Sequence, residues 1–199
     1  HMSILAVSLL ALVACTPEKK QEADYSQYVN PMIGTDFTGN TYPGAQVPFG
    51  MVQLSPDNGL PGWDRISGYF YPDTTIAGFS HTHLSGTGAG DLYDISFMPV
   101  TRPYKEAPAP LGIYSTFSHN DEAASAGYYR VLLKDYNINV ELTATERCGI
   151  QRYTFPEAEA SVFLNLKKAM NWDFTLDSKI EVVDSTTIRG YRLSQGWSP

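Results

Sequence analysis

Hydrophobic and polar residues alternate along the second half of the chain, from Gly127 onward. Over residues 138–144, Ile, Val, Leu and Ala occupy every second position, and polar residues fill the others. A period of two puts the apolar side chains on one face, which is typical of a half-buried antiparallel strand. Similar short runs lie at Tyr128–Lys134, Ile150–Phe155, Ser161–Leu166, Lys179–Val183 and Thr187–Leu193. This spacing, with turn residues between the runs, predicts an all-β protein built as an antiparallel sandwich or barrel.

The first half of the chain has a different pattern of strands and connections. Phe49–Leu54 and Asp94–Val100 have the composition of strands, and the connections between such runs are long and rich in Gly and Pro. Residues 101–120 contain three prolines and predict a surface excursion. Residues 122–126 are the only local candidate for helix, a single turn or less. Long ordered loops on a β scaffold usually carry function, so these connections are where candidate chemistry is sought.

The N-terminal sequence predicts a secretion signal. Ile4–Ala14 is an almost unbroken apolar run, about half the length of a membrane-spanning helix, and it ends Leu-Val-Ala-Cys at Cys15. This order indicates a bacterial lipoprotein signal over residues 1–15 in which Cys15 is acylated, and an ordinary signal peptide is the alternative. Residues 16–27 are polar and predict a tether to a domain over residues 28–199. We therefore expect a lipid-anchored protein of the bacterial cell envelope, in the outer membrane and facing the periplasm or the outside.

Composition limits the class of protein further. A chain of 199 residues is long enough for one good hydrophobic core. The net charge is −7, with 14 Lys and Arg and no long basic run, which excludes nucleic acid as a partner. Only two cysteines are present, so lipidation of Cys15 would leave Cys148 without a disulfide partner. We expect Cys148 to be a small buried residue and not a nucleophile.

The densest group of candidate residues is His81, His83 and Asp91. If Phe79–Leu84 is extended, the two imidazoles lie on one face about 7 Å apart, and Asp91 is able to return to them. Two imidazoles and a carboxylate suit zinc or iron. The interpretation we favour is two histidines that hydrogen-bond loop backbone or a polar ligand. The glycines of residues 86–90 lack both the dinucleotide spacing and the Walker lysine, which excludes a phosphate loop.

A second group is Trp63 and Asp64, followed by Arg65 and bracketed by glycines. A tryptophan beside a carboxylate offers a flat apolar face next to a hydrogen-bond acceptor, which suits the apolar face and the hydroxyls of a sugar ring. The residues are equally compatible with a Trp63 that is buried against the sandwich and an Asp64–Arg65 pair on the surface. Sequence spacing leaves both interpretations open.

The third segment is the Gly- and Pro-rich stretch Asn30–Gly50, which predicts a loop with several fixed backbone angles. Taken in order, the three segments resemble the N-terminal region of glycoside hydrolase family 92, whose bacterial members are exo-acting α-mannosidases. The resemblance covers most of residues 28–199. Its matching runs are Asn30–Thr35, Thr41–Asp57, Gly62–Tyr71, Ile76–Asp91, Phe117–Leu133 and Glu141–Phe155.

The resemblance implies a calcium-dependent enzyme that removes terminal mannose from α-mannosides, such as N-glycans, with inversion. It also implies an N-terminal β-sandwich packed on an (α/α)6 helical barrel that supplies the catalytic acid and base and most of the calcium shell. No helical repeat follows the strands of this chain, so we expect a truncated enzyme and assign it no catalytic residue or metal ligand. The substrate contacts that the resemblance implies are Trp63 and Asp64, with His81, His83 and Asp91 as further candidates.

Two alternative functions remain at this point. The first is a carbohydrate-binding β-sandwich lipoprotein without catalysis, since it would show the same aromatic residues and loops. The second is a purely structural lipoprotein domain.

Overall fold

Strands dominate the computed structural model, which describes residues 23–168 and 171–197. The predicted signal peptide with Cys15, and most of the predicted tether, lie outside the described residues. Within them there is no α-helix, hence no helix able to cross a membrane, and three short 3₁₀ helices occur at Ser26–Tyr28, Trp63–Arg65 and His119–Asp121. The strands are β1 Ser55–Asp57, β2 Thr75–Ile76, β3 Gly78–Ser80, β4 Ser96–Thr101, β5 Glu106–Ala107, β6 Gly112–Ile113, β7 Ser115–Thr116, β8 Glu122–Ser125, β9 Tyr128–Leu133, β10 Ile138–Ala144, β11 Gly149–Thr154, β12 Ala160–Asn165, β13 Phe174–Val182 and β14 Ile188–Gln195.

Two four-stranded antiparallel sheets form the sandwich. One has the strand order β1-β3-β4-β12 and the other the order β11-β10-β9-β8. Both sheets contribute to a single hydrophobic core, since Phe79 and Val100 of the first pack in one cluster with Val131 and Val140 of the second. Each such side chain contributes about 1.5–3 kcal/mol when it is fully buried. The predicted antiparallel β-sandwich is confirmed.

The second sheet follows the sequence pattern closely. β10 runs over the residues that the alternation predicted, and its side chains are buried at every second position. Val140 lies opposite Val131 of β9 on one side and Tyr153 of β11 on the other. Because the side-chain period of a strand is two, this register keeps the apolar face of the whole sheet on the core.

Three local predictions are wrong. Phe49–Leu54 is not a strand: the strand begins at Ser55, and Phe49 has a φ of 60°, which no extended residue adopts. Residues 122–125 form a strand and no helical turn, because they pair with β9 along their length. Cys148 is exposed and not buried, since it lies in the turn between β10 and β11, where its N–H donates to Thr145 Oγ1.

The excursion over residues 101–120 is tied down by short ladders. β5 pairs with β6, and β7 pairs with β2, in ladders of two residues each. The hairpin of β13 and β14 is a separate two-stranded sheet. Arg192 of β14 attaches this hairpin to the sandwich, because its guanidinium forms ion pairs with Asp173 and with Asp94 in the loop before β4.

Candidate functional site

The indole of Trp63 stands on the surface of the loop between β1 and β2. Gly62 precedes it with a φ of 152°, and the Gly62 N–H donates to Asn171 Oδ1 at 3.0 Å. The ring lies against Gly88, where an added Cβ would be 3.2 Å from Trp63 Cη2. The side chain is 58% exposed, so the interpretation of a Trp63 buried in the sandwich is wrong. One indole face is therefore presented on a loop that is fixed on both sides.

Asp64, the residue that follows Trp63, carries a half-exposed carboxylate. The Asp64–Arg65 surface pair is not formed, because the Arg65 guanidinium binds Asp73 instead, with Nε 2.6 Å from Oδ2, and lies over the Phe70 ring. The hydrogen bond to Asp73 raises the pKa of Arg65. In the described part of the chain Asp64 has no hydrogen-bond partner of its own. A carboxylate in this state can accept a hydroxyl donor that approaches the Trp63 face.

His83 lies beneath the loop that carries Trp63. Its Nδ1–H donates to the Gln53 carbonyl at 2.7 Å, and its Nε2 is 2.9 Å from Asp57 Oδ1. The ring is buried and packs against Tyr42 and Tyr93, with ring centroids 5.0 Å and 5.8 Å away. Because both ring nitrogens have protein partners, the imidazole has no free position for a ligand atom.

Asp57 connects this histidine to the loop above it. The carboxylate is fully buried, and its second oxygen is 3.2 Å from Lys168 Nζ. Burial acts to raise the pKa of Asp57, but the positive charges of Lys168 and His83 together hold it below its usual value. Gly68, at a φ of 88°, lies directly on the carboxylate, since an added Cβ would be 2.6 Å from Oδ1. The buried network of Asp57, His83 and Lys168 therefore lies directly beneath residues 62–68.

His81 is placed elsewhere. The strand in this segment ends at Ser80, so the condition for two histidines on one extended face, a strand over Phe79–Leu84, is not met. His81 Nδ1–H donates to the Ile95 carbonyl at 2.8 Å, and the ring packs under Gly149 of β11. Burial lowers the pKa of His81. No hydrogen bond or ring contact joins His81 to Trp63 or Asp64 in the described residues.

Asp91 lies at the other end of the same glycine-rich loop. It is buried, and its Oδ1 accepts the Trp197 N–H at 2.7 Å. The described ranges contain no group of three or more His, Cys, Asp or Glu that could hold a metal ion. The described residues thus do not fit the zinc or iron interpretation of this loop.

The site includes two further tryptophans, which the sequence analysis did not identify. Trp172 is 48% exposed and meets Trp63 edge to face, with ring centroids 6.3 Å apart and planes at 71°. Trp197 is 73% exposed, and its backbone binds the glycine-rich loop through Asp91. One signal was present in the sequence, because the Trp-Asp dipeptide at 63–64 recurs at 172–173.

The site is an open surface. The larger hollows of the described structure lie elsewhere, such as a cleft of about 500 Å³ between β12 and the excursion, lined by Met98, Leu111 and Phe163. Ligand sites of enzymes usually enclose most of the ligand, and the surface formed by these residues does not enclose one by itself.

An antiparallel sandwich that presents tryptophans beside a free carboxylate on its loops has the features of a carbohydrate-active domain. Residues 28–199 match the model of the glycosyl hydrolase family 92 N-terminal domain. The chain therefore belongs to glycosyl hydrolase family 92, and it covers the N-terminal domain of that family.

Solved structures agree with this assignment. A family 92 α-mannosidase of Bacteroides thetaiotaomicron, solved in complex with mannoimidazole, is 43% identical with a TM-score of 0.82, over 87% of this chain and 24% of that chain. A family 92 inverting mannosidase of the same organism is 28% identical with a TM-score of 0.68, over 89% of this chain and 24% of that chain.

A curated relative is an uncharacterized secreted glycosidase of Arthroderma benhamiae. It is 27% identical over an alignment of 161 positions, and the match covers 76% of this chain and 20% of the relative. The chain thus spans about a quarter of the length of the solved relatives and a fifth of the length of the Arthroderma benhamiae relative.

Proposed function

We propose that this chain is the sugar-binding N-terminal domain of an inverting exo-α-mannosidase that removes terminal mannose from α-mannosides such as N-glycans. The observation that carries the proposal is the exposed indole of Trp63, followed along the chain by the half-exposed carboxylate of Asp64. The relative that was solved with mannoimidazole and the relative described as an inverting mannosidase support the substrate class and the stereochemistry.

Inversion needs a carboxylic acid that protonates the leaving oxygen and a carboxylate that activates water on the opposite face of the sugar. The two groups are about 6.5–9.5 Å apart. We place both in a C-terminal helical-barrel domain that packs against the open face of this sandwich. Calcium belongs mainly to that domain as well. The length of the solved relatives, about four times that of the matched segment, supports such a division of labour.

Within this chain each residue has a separate role. Trp63 stacks on the apolar face of the terminal mannose, and Asp64 accepts a hydrogen bond from one of its hydroxyls. The buried positions of His83 and Asp57 favour support of the Trp63 loop over direct contact with the sugar. Asp91 supports the rim of the site by accepting the Trp197 N–H, whereas His81 lies apart from the site under Gly149 of β11.

Trp63→Ala in the intact enzyme should lower kcat/KM on an α-mannoside by about 10- to 100-fold. The reason is that loss of an aromatic contact removes about 1.5–3 kcal/mol of apolar burial in the complex. Steady-state kinetics with a thermal melt measure the effect and the fold. Phe49→Ala is the matched control, because Phe49 is fully exposed on another loop. An unchanged kcat/KM in Trp63→Ala at an unchanged Tm would refute the role of Trp63.

We also propose that the protein is anchored to the bacterial envelope through acylated Cys15. The apolar run that ends Leu-Val-Ala-Cys supports the anchor, and the secreted glycosidase among its relatives supports an extracytoplasmic location. Labelled palmitate should enter the wild type and Cys148→Ala but not Cys15→Ala, because Cys148 is the other cysteine of the chain. Label that persists in Cys15→Ala would contradict the anchor. Cleavage without any label would favour the ordinary signal peptide.

The second candidate function is carbohydrate binding without catalysis. The observation in its favour is the open, one-sided form of the site in this chain. The two functions differ in whether an α-mannoside is turned over by the intact protein or only bound.

A further inference from the structure

Trp63 and Trp172 are held as a pair by the residues that precede them. Gly62 and Asn171 both have left-handed φ angles, of 152° and 57°, and the Gly62 N–H donates to Asn171 Oδ1. Gly90 covers the Asn171 side chain so closely that an added Cβ would be 2.6 Å from Asn171 Cβ. The relative position of the two indoles is therefore fixed by backbone, and not by their own contact alone.

The geometry of the pair excludes one shared sugar ring. The planes are inclined by 71° and the centroids are 6.3 Å apart, so one flat ring cannot lie against both indoles. Two sugar rings joined by one glycosidic oxygen are themselves inclined and lie about a ring's width apart. The pair matches two successive residues of an oligosaccharide better than it matches two faces of one residue.

We propose that Trp172 binds the second sugar residue of the substrate, the residue that leaves with the glycosidic oxygen, while Trp63 binds the terminal one. This inference rests on the proposed function. It adds that Trp172 recognises the second sugar residue of the substrate. Trp172 is 48% exposed, so about half of its surface is open to a ligand.

The two Trp-Asp dipeptides differ in one respect that determines specificity. Asp64 is free, whereas Asp173 is buried and its carboxylate binds Arg192. Trp172 therefore offers a stacking face without a carboxylate beside it to select particular hydroxyls. The second sugar should be recognised as a flat apolar ring face, with little dependence on how its hydroxyls are arranged or which of them carries the linkage.

The test uses the intact enzyme and two kinds of substrate: α-mannobioses of two linkages, which contain a second sugar, and α-mannosyl fluoride, which does not. Trp172→Leu, which keeps apolar bulk but no flat ring, should lower kcat/KM on both mannobioses about tenfold or more. The value on α-mannosyl fluoride should stay within about twofold. Trp172→Phe should restore most of the loss, and Trp63→Ala should lower kcat/KM on all substrates.

An equal loss on α-mannosyl fluoride and on the mannobioses would overturn the proposal, because Trp172 would then act on the fold, on the domain interface or on the terminal mannose. No loss on either substrate would overturn it as well. Failure of the wild-type enzyme to hydrolyse any of the three substrates would instead refute the proposed mannosidase activity itself.

Discussion

Residues 1–199 alone are expected to leave an α-mannoside intact, with or without calcium. General acid and general base catalysis each contribute about 10²–10⁴ to the rate, and both need carboxylates on opposite sides of the bond. Asp64 is the half-exposed carboxylate of the site, while the buried carboxylates around it have protein partners. Asp57 binds Lys168, Asp73 binds Arg65, Asp173 binds Arg192, and Asp91 accepts the Trp197 N–H. We therefore expect a rate at the level of the buffer.

The measurement is release of a chromophore from a reactive aryl α-mannoside by the purified chain at millimolar calcium. The intact enzyme serves as the positive control. Turnover above a buffer blank that disappears in Asp64→Asn would show that the catalytic group lies in this chain. The proposed division of labour between the two domains would then be wrong.

Arg192→Met is expected to destabilise the domain by about 3–5 kcal/mol, because it leaves carboxylates buried without their cation. The Arg192 side chain is 1% exposed, and it also donates to the carbonyls of Leu166 and Lys168. Burial already raises the pKa of Asp173, even with the guanidinium in place. Removal of the guanidinium takes away the interactions that oppose this rise.

Urea unfolding at neutral pH measures this loss. Arg189→Met is the matched control, because Arg189 lies on the same strand and pairs with Glu181 but is 70% exposed. Pairs of this exposed kind contribute about 0.2–1 kcal/mol. Similar small changes in both variants would show that the hairpin is not attached through Arg192.

The alternation of apolar and polar residues predicted the strands whose formation depends on residues close in sequence. The period of two placed β10 over Ile138–Ala144, because one half-buried strand suffices to define it. The same reasoning failed at Cys148, since the alternation ends at Ala144 and the next residues turn away from the core. Burial in a turn depends on what packs over it, which is a property of the whole fold.

The candidate site divides in the same way. Trp63 and Asp64 could be predicted as candidates because the glycines that bracket them are close in sequence. Trp172 was missed because it is tied to Trp63 through a hydrogen bond between residues 109 positions apart, and no local pattern reports such a pairing. The burial of His83 had no local signal either, since Gln53 and Asp57, which bond to its ring, lie 30 and 26 positions away.

The bond between Gly62 and Asn171 also has a consequence for how the protein is made. Contacts of long sequence separation form late, because the intervening chain must first be ordered. On a ribosome, residue 62 emerges well before residue 171, and chains grow at about 5–20 residues per second. Trp63 is therefore synthesised several seconds before Asn171, which binds the Gly62 N–H, and before Trp172. The pair of indoles is among the last features that a nascent chain can assemble, and a chain interrupted before residue 171 could form much of the sandwich without it.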